Sequence, residues 1–366
     1  MIDIEEYRLQ ETIAINSFSN WRPREPYILP TFEKYGFPSK YENFSRLRQF
    51  LDTFQEGRFD SYVSEDNGLT KDEEELLLAV ILRNLQFQEF TFSGKKQIVP
   101  FDTAISALKI FSRIINLNPS CKKVLEIGPG SGFLPQFLYF SNIETYVGIE
   151  ACEVLYMLQD LQFSFLFNRS FKQYALNGEY ENEILIPEYP ETVVEKQLFG
   201  SEYEIQKQEG SIRFIHVPWW RIGKIINEKM KFDIITSNAN LKEFSAYALN
   251  SYLYLMKKCL NDNGILVVCC FGGGDISHEL VFNKLALFKF IPIFYKNATV
   301  SMAFFIKEGH PFYQKCCQNN YITKDQKKIP IISEYLNRMS SGIRRMVTKD
   351  QLFDIIIKKF DSNTSS

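Results

Sequence analysis

The chain has 366 residues, 45% hydrophobic and 23% charged, enough for one large core domain and a smaller one. A formal net charge of −2 leaves no electrostatic footprint for nucleic acid, and no apolar run is long enough for a transmembrane segment. The first residues lack the basic and apolar regions of a secretion signal. Seven cysteines without C-x-x-C spacing fit reduced thiols in a cytoplasmic protein, neither a disulfide framework nor a zinc site.

From residue 1 to 117 the pattern is helical, without strand alternation. Pro23, Pro26 and Pro30 favour an extended arm over Arg22 to Gly36. Helices are expected over Tyr41 to Glu56, over Lys71 to Gln86 with Thr70 as N-cap, and over Asp102 to Leu117. The last carries Ile105, Leu108, Phe111 and Ile115 on one face. These residues read as a helical N-terminal cap on a core spanning 118–309.

The core opens with Val124-Leu-Glu-Ile-Gly-Pro-Gly-Ser-Gly-Phe-Leu134, an apolar strand, a turn with three glycines and an amphipathic segment from Phe133 to Phe140. That sequence is the first strand, turn and helix of a doubly wound α/β domain. Gly128, Gly130 and Gly132 allow φ > 0 and let a ligand lie on the main chain. A dinucleotide fold wants G-x-G-x-x-G. Here the third glycine is one residue early, and Phe133 stands where that glycine would be. Glu126 at the strand end would repel a pyrophosphate and suits an ammonium group. The plainer reading is a glycine turn without a ligand.

Thr145 to Glu150 is a second strand, and Glu150 lies 18 positions after Gly132, close to the roughly 20 expected of an acid that receives a ribose diol. A carboxylate can accept both hydroxyls; the alternative is a solvated strand-end acid. A helix over Ala151 to Phe167 follows. Ser170 to Gly210 is polar and too long for an ordinary loop, so it reads as an insertion near the site rim, with a short strand pair as the other option.

Ser211 to Trp220 supplies strand three, ending in His216-Val-Pro-Trp-Trp220. His216 is a candidate general base or a hydrogen-bonded structural histidine. Trp219 and Trp220 offer a flat apolar face to adenine or a sugar ring, or form a buried aromatic cluster. Strand four is Phe232 to Ser237, with Asp233 structural at its far end. Asn238, Asn240 and Glu243 follow it; Glu243 is a second candidate base, or an acid favoured by a helix dipole. A helix through Leu260, a turn at Asn261 to Gly264 and a buried strand over Ile265 to Phe271 come next. Gly272 to Gly274 lead into a helix capped by Asp275 or Ser277, and a closing antiparallel pair spans Phe288 to Tyr295 and Ser301 to Ile306. Residues 310–366 form a helical extension, notably Thr348 to Phe360, with a disordered end from Asp361.

E-x-G-x-G-x-G from Glu126 to Gly132, the acid at Glu150 and the order of strands four and five resemble the class I S-adenosylmethionine-dependent methyltransferases over about Asp102 to Ile306. The resemblance implies a Rossmann-like α/β fold, a doubly wound and mostly parallel sheet of seven strands. It implies S-adenosylmethionine as cofactor, held by Glu126, Gly128, Pro129, Gly130, Gly132, Glu150, Ala151, Val217, Pro218 and Ser237. A narrower likeness of His216 to Trp220 and Ser237 to Phe244 is to the sugar O-methyltransferases of bacterial surface-polysaccharide clusters. It implies methyl transfer to a glycan or nucleotide-sugar hydroxyl, with Trp219, Trp220, Asn238 and Asn240 at the acceptor. No carboxylate cluster for a metal can be assembled. A homodimer is compatible with the sequence. The rival readings are methylation of another small molecule, an NAD-dependent oxidoreductase, and a non-catalytic Rossmann-like module.

Overall fold

The computed structural model describes residues 2–17, 39–52, 57–167, 170–175, 214–241, 243–244, 246–270, 278–296, 301–319 and 326–364. The proline-rich arm, most of the insertion, and the Gly272 to Ser277 link with its expected cap lie outside the described residues.

Helix α1 (Ile4–Ser17) is followed by α2 (Phe44–Leu47), α3 (Phe59–Glu65), strand β1 (Leu69–Thr70), α4 (Lys71–Thr91) and α5 (Phe101–Leu117). Within the described part of the helix expected over Tyr41 to Glu56, the chain forms α2 and a 3₁₀ turn over Arg48–Leu51; residues 53–56 lie outside the described residues. Thr70 caps α4 as expected, through a capping box: its hydroxyl accepts from Glu73 N, and Glu73 accepts from Thr70 N. Helix α5 is buried almost all round, beyond the single apolar face read from the sequence. Ile105, Leu108 and Ile114 are fully buried, and each contributes about 2 kcal/mol of apolar burial. Its two cations are buried with partners: Lys109 Nζ lies 3.0 Å from Asp66, and Arg113 lies 3.5 Å from Glu65. Unpaired, either charge would be strongly destabilising at that depth.

The core strands are β2 (Lys123–Ile127), β3 (Thr145–Glu150), β4 (Phe171–Gln173), β5 (Phe214–Pro218), β6 (Phe232–Asn238), β7 (Leu260–Cys269), β8 (Phe290–Lys296) and β9 (Met302–Lys307). They form one eight-stranded sheet in the order β4-β5-β3-β2-β6-β7-β9-β8. All neighbours pair parallel except β9, which runs antiparallel to both β7 and β8. The fold is therefore a doubly wound, mostly parallel, Rossmann-like sheet, with eight strands where seven were expected. The additional strand is β4, at the start of the stretch read as an insertion. Strand β7 also begins at Leu260, so residues expected to turn at Asn261 to Gly264 belong to a strand, with an irregular register against Phe232 and Ile234.

The order reverses at β2, with β3 on one side and β6 on the other. A sheet of this kind opens a crevice there, at the carboxyl ends of its strands. Register sets four strand tips side by side at that crevice, pairing Ile127 with Ile149 and Ser237, and Glu150 with Pro218. Helices α6 (Leu134–Leu138), α7 (Glu153–Phe167), α8 (Ile222–Asn227) and α9 (Ala246–Cys259) connect the parallel strands, and α10 (His278–Leu287) precedes the closing pair. After α11 (Tyr313–Asn319) and α12 (Pro330–Ser340), strand β10 (Arg344–Arg345) pairs antiparallel with β1, tying residues 69–70 to the far end of the chain. Helix α13 (Lys349–Thr364) then extends into the stretch expected to be disordered. No helix among the described residues is long and apolar enough to cross a membrane.

Candidate active site

The turn between β2 and α6 takes its shape from its glycines. Gly128, Gly130 and Gly132 have φ of +68°, +60° and +73°, in the left-handed region that other residues avoid. Their surroundings differ. A Cβ on Gly128 would strike the Asn240 amide at 2.3 Å, and one on Gly132 would meet Gln162 Oε1 at 2.8 Å. A Cβ on Gly130 would meet nothing within 4 Å. Gly128 and Gly132 are thus needed for packing, whereas Gly130 presents bare backbone to open space.

That space is a cavity of about 250 Å³ at the crevice, bounded by the glycine turn, the tips of β2, β3 and β6, and helix α5. Glu126, Gly128, Pro129, Gly130, Glu150 and Ala151 line it, as do Asn238, Asn240 and Glu243. Sequence reasoning missed Arg58, Thr103, Ser106, Ser131, Phe244 and Tyr252 on the same walls. Thr103 and Ser106 lie on α5, the helix that runs into the first core strand. Arg58 precedes a helix whose position depends on the buried Asp102 carboxylate, which accepts from Gly57 N at 3.2 Å and Phe59 N at 2.7 Å.

Glu126 is buried beneath the turn, where Tyr146 donates its hydroxyl to Oε2 at 2.6 Å. Burial pushes its carboxyl up to about 8; the Tyr146 hydrogen bond opposes that rise, and the charge of Glu150 adds to it. Glu150 is also buried and raised by burial, with four hydrogen bonds pulling the other way. Oε1 accepts from Ala151 N and Cys152 N, both at 2.9 Å. Oε2 accepts from Gln159 Nε2 at 2.9 Å and from Gly130 N at 3.3 Å, the longest of the four. The Asn240 amide nitrogen is spent on structure, donating to Ile127 O at 2.8 Å and Asn238 O at 2.7 Å. It bolts the tip of β6 to the tip of β2, and its Oδ1 is the atom nearest Gly128.

Several expected site residues are not brought to the cavity. His216 is fully buried beside α7, its ring stacked on Tyr156 with centroids 3.8 Å apart and planes at 12°. Its Nε2 lies 2.6 Å from Gln159 Oε1, and burial pushes the imidazole down to about 3. The ring is not among the cavity-lining residues, and its burial favours the neutral form. Trp219 and Trp220 pack under α1: Trp219 Nε1 donates to Glu11 at 3.0 Å, and Trp220 meets Tyr7 edge-on at 4.8 Å. They form the buried aromatic cluster that was the plainer alternative. Val217 and Ser237 are fully buried within the sheet, and neither they nor Pro218 line the cavity. Asp233 sits near the opposite end of the central strand β6, accepting from Lys122 N and Lys123 N at 2.8 and 3.0 Å. Among the described residues, no three His, Cys, Asp or Glu side chains group as metal ligands.

No family model matches the chain. No curated protein matches it either. Solved structures similar to it include a TehB-like SAM-dependent methyltransferase from Corynebacterium glutamicum, with 12% identity and a TM-score of 0.35 over 54% of this chain and 87% of that one. Magnesium protoporphyrin IX methyltransferase from Synechocystis, with bound SAM, gives 10% and 0.36 over 65% and 98%. A Podospora anserina methyltransferase bound to SAH gives 12% and 0.34 over 69% and 94%. At these scores the likeness adds no weight to the strand order and site geometry.

Proposed function

We propose that the cavity binds S-adenosylmethionine and that the chain transfers its methyl group to an acceptor hydroxyl, most simply that of a sugar. The observation that carries this reading is the open, side-chain-free approach to Gly130 between two buried strand-tip acids. The residues fit the cofactor. Glu126, buried and without a cationic partner among the described residues, matches an ammonium group. Glu150 matches a ribose diol, one hydroxyl taking the place of the long bond from Gly130 N. Pro129, Ala151 and the left-handed turn supply a surface on which a nucleoside can lie. When bound, the cofactor supplies a methyl group already activated by its sulfonium charge.

The chain's own part is alignment, exclusion of water and removal of the hydroxyl proton. Glu243 is the carboxylate on the cavity wall beyond β6, and it replaces His216 as the proposed base. Asn238 shares that wall, and Phe244 stacks on Tyr252 at 4.5 Å to give it an apolar floor. A sugar presents hydroxyls and an apolar ring face, both of which such a wall can meet. A labelled-methyl transfer screen over nucleotide sugars and oligosaccharides tests the reading. Methylation of at least one sugar, lost in Glu243→Gln, supports it. Cofactor binding with transfer only to acceptors that lack sugar would overturn the sugar assignment.

A further inference from the structure

We propose that Gln159 and His216 form a buried positioning relay that fixes Glu150 for recognition of a ribose diol. The inference rests on the reading of the cavity as an adenosyl site and assigns that site two residues outside its walls.

The direction of every hydrogen bond in the relay follows from its two fixed ends. Gly130 O and the Glu150 carboxylate can only accept. The Gln159 Nε2 lies 2.6 Å from the first and 2.9 Å from Oε2 of the second, so the amide nitrogen must face them with both hydrogens. Its Oε1 must then face His216, whose Nε2 lies at 2.6 Å and must carry the imidazole proton. Flipping the amide would set an oxygen against two acceptors and leave the His216 N–H facing a donor. His216 therefore selects the orientation of Gln159 that Glu150 requires.

The imidazole is itself held in place. Tyr156 stacks on one face, Phe163 meets it edge-on at 5.4 Å, and Phe171 from β4 lies at 6.3 Å. Its Nδ1 is buried and has no hydrogen-bond partner among the described residues. A phenylalanine would fill this aromatic box without leaving an orphaned acceptor, so packing alone gives no reason for a histidine. The N–H donated to Gln159 does. Among the described residues, the side-chain hydrogen bonds of Gln159 and His216 go to each other, to Glu150 and to Gly130 O, so their effect on a diol passes through Glu150.

The test is calorimetry on the full chain with two ligands, S-adenosylhomocysteine and its 2′,3′-dideoxy analogue. Gln159→Met keeps side-chain length and removes the polar atoms; His216→Phe keeps the stack on Tyr156 and removes the donor. The relay predicts that Gln159→Met weakens S-adenosylhomocysteine about tenfold and His216→Phe about threefold, the scale of a lost hydrogen bond to a charged group. Neither variant should change affinity for the dideoxy analogue. The double variant should lose no more than Gln159→Met alone, because His216 acts only through Gln159. Equal losses with both ligands would reduce the pair to packing and overturn the relay, as would no loss with either. His216→Phe carries the test alone if Gln159→Met melts below the assay temperature. Wild-type chain that ignores S-adenosylhomocysteine overturns the cofactor reading. Wild-type chain that binds both ligands equally overturns only the roles of Glu150 and its relay.

Discussion

Tyr146 donates its hydroxyl to Glu126 from two positions before Gly148, the residue that pairs with Glu126 across the sheet. The bond holds a carboxyl that has no cationic partner among the described residues at the floor of the cavity, where burial favours its neutral form. On the proposed reading, a ligand bearing an ammonium group would supply the missing cation.

Binding of such a ligand should release a proton near pH 7. Burial raises Glu126 to about 8, so the carboxyl is mostly protonated at neutral pH, and a bound cation pulls it back down. Calorimetry in two buffers of different ionisation enthalpy should show close to one proton released, and none in Glu126→Gln.

The same shift sets a pH dependence of stability. Between an ordinary carboxyl value near 4.5 and about 8, the folded chain holds a proton that the unfolded chain has lost. Stability from this group is therefore full below that window and falls as pH rises through it. Glu126→Gln should melt higher than wild type at pH 8 and about the same at pH 4.5, while binding the cationic ligand more weakly.

At the mouth, Asp102 holds the backbone on both sides of Arg58 and also meets Lys349 Nζ at 2.7 Å, at the start of α13. Asp102→Ala should cost about 3 kcal/mol, since it orphans two backbone N–H groups and a partly buried cation. Lys349→Met should cost less and still speed ligand release, read by stopped-flow, because the Arg58 loop loses its brace from the C-terminal helix.

At the opposite end of β6, Asp233→Ala should destabilise by about 1–3 kcal/mol through loss of its bonds to Lys122 N, Lys123 N and Asn261. Ligand affinity should not change, which separates a structural acid from the two at the crevice.

The glycine turn and both strand-tip acids were legible because their constraints are local: spacing, φ and the end of an apolar run. Thr70 was legible for the same reason. The roles of His216 and the two tryptophans were not. All five residues of β5 are buried, so no polar alternation marks which face a side chain takes. What covers Trp219 is Glu11, 208 positions away, a contact that no local pattern announces. The β1–β10 pairing is equally silent, two residues at each end joined across most of the chain. Strand β4 is three residues long and half-buried, too short for a periodic signal within a polar stretch. Gln159 is a polar residue within α7 that no local pattern marks, and only the fold sets it between His216 and Glu150.

The most direct measurement is a calorimetric titration of wild-type chain, Gly130→Arg and Glu150→Ala with S-adenosylmethionine. An arginine at Gly130 would occupy the open space over the turn, and alanine at Glu150 would remove the diol acceptor. Saturable one-to-one binding by wild type, weakened at least about a hundredfold in the arginine variant and about tenfold or more in the alanine variant, is the expected result. Unchanged affinity in both variants, or a wild-type crevice that takes NAD in place of the sulfonium nucleoside, would contradict it.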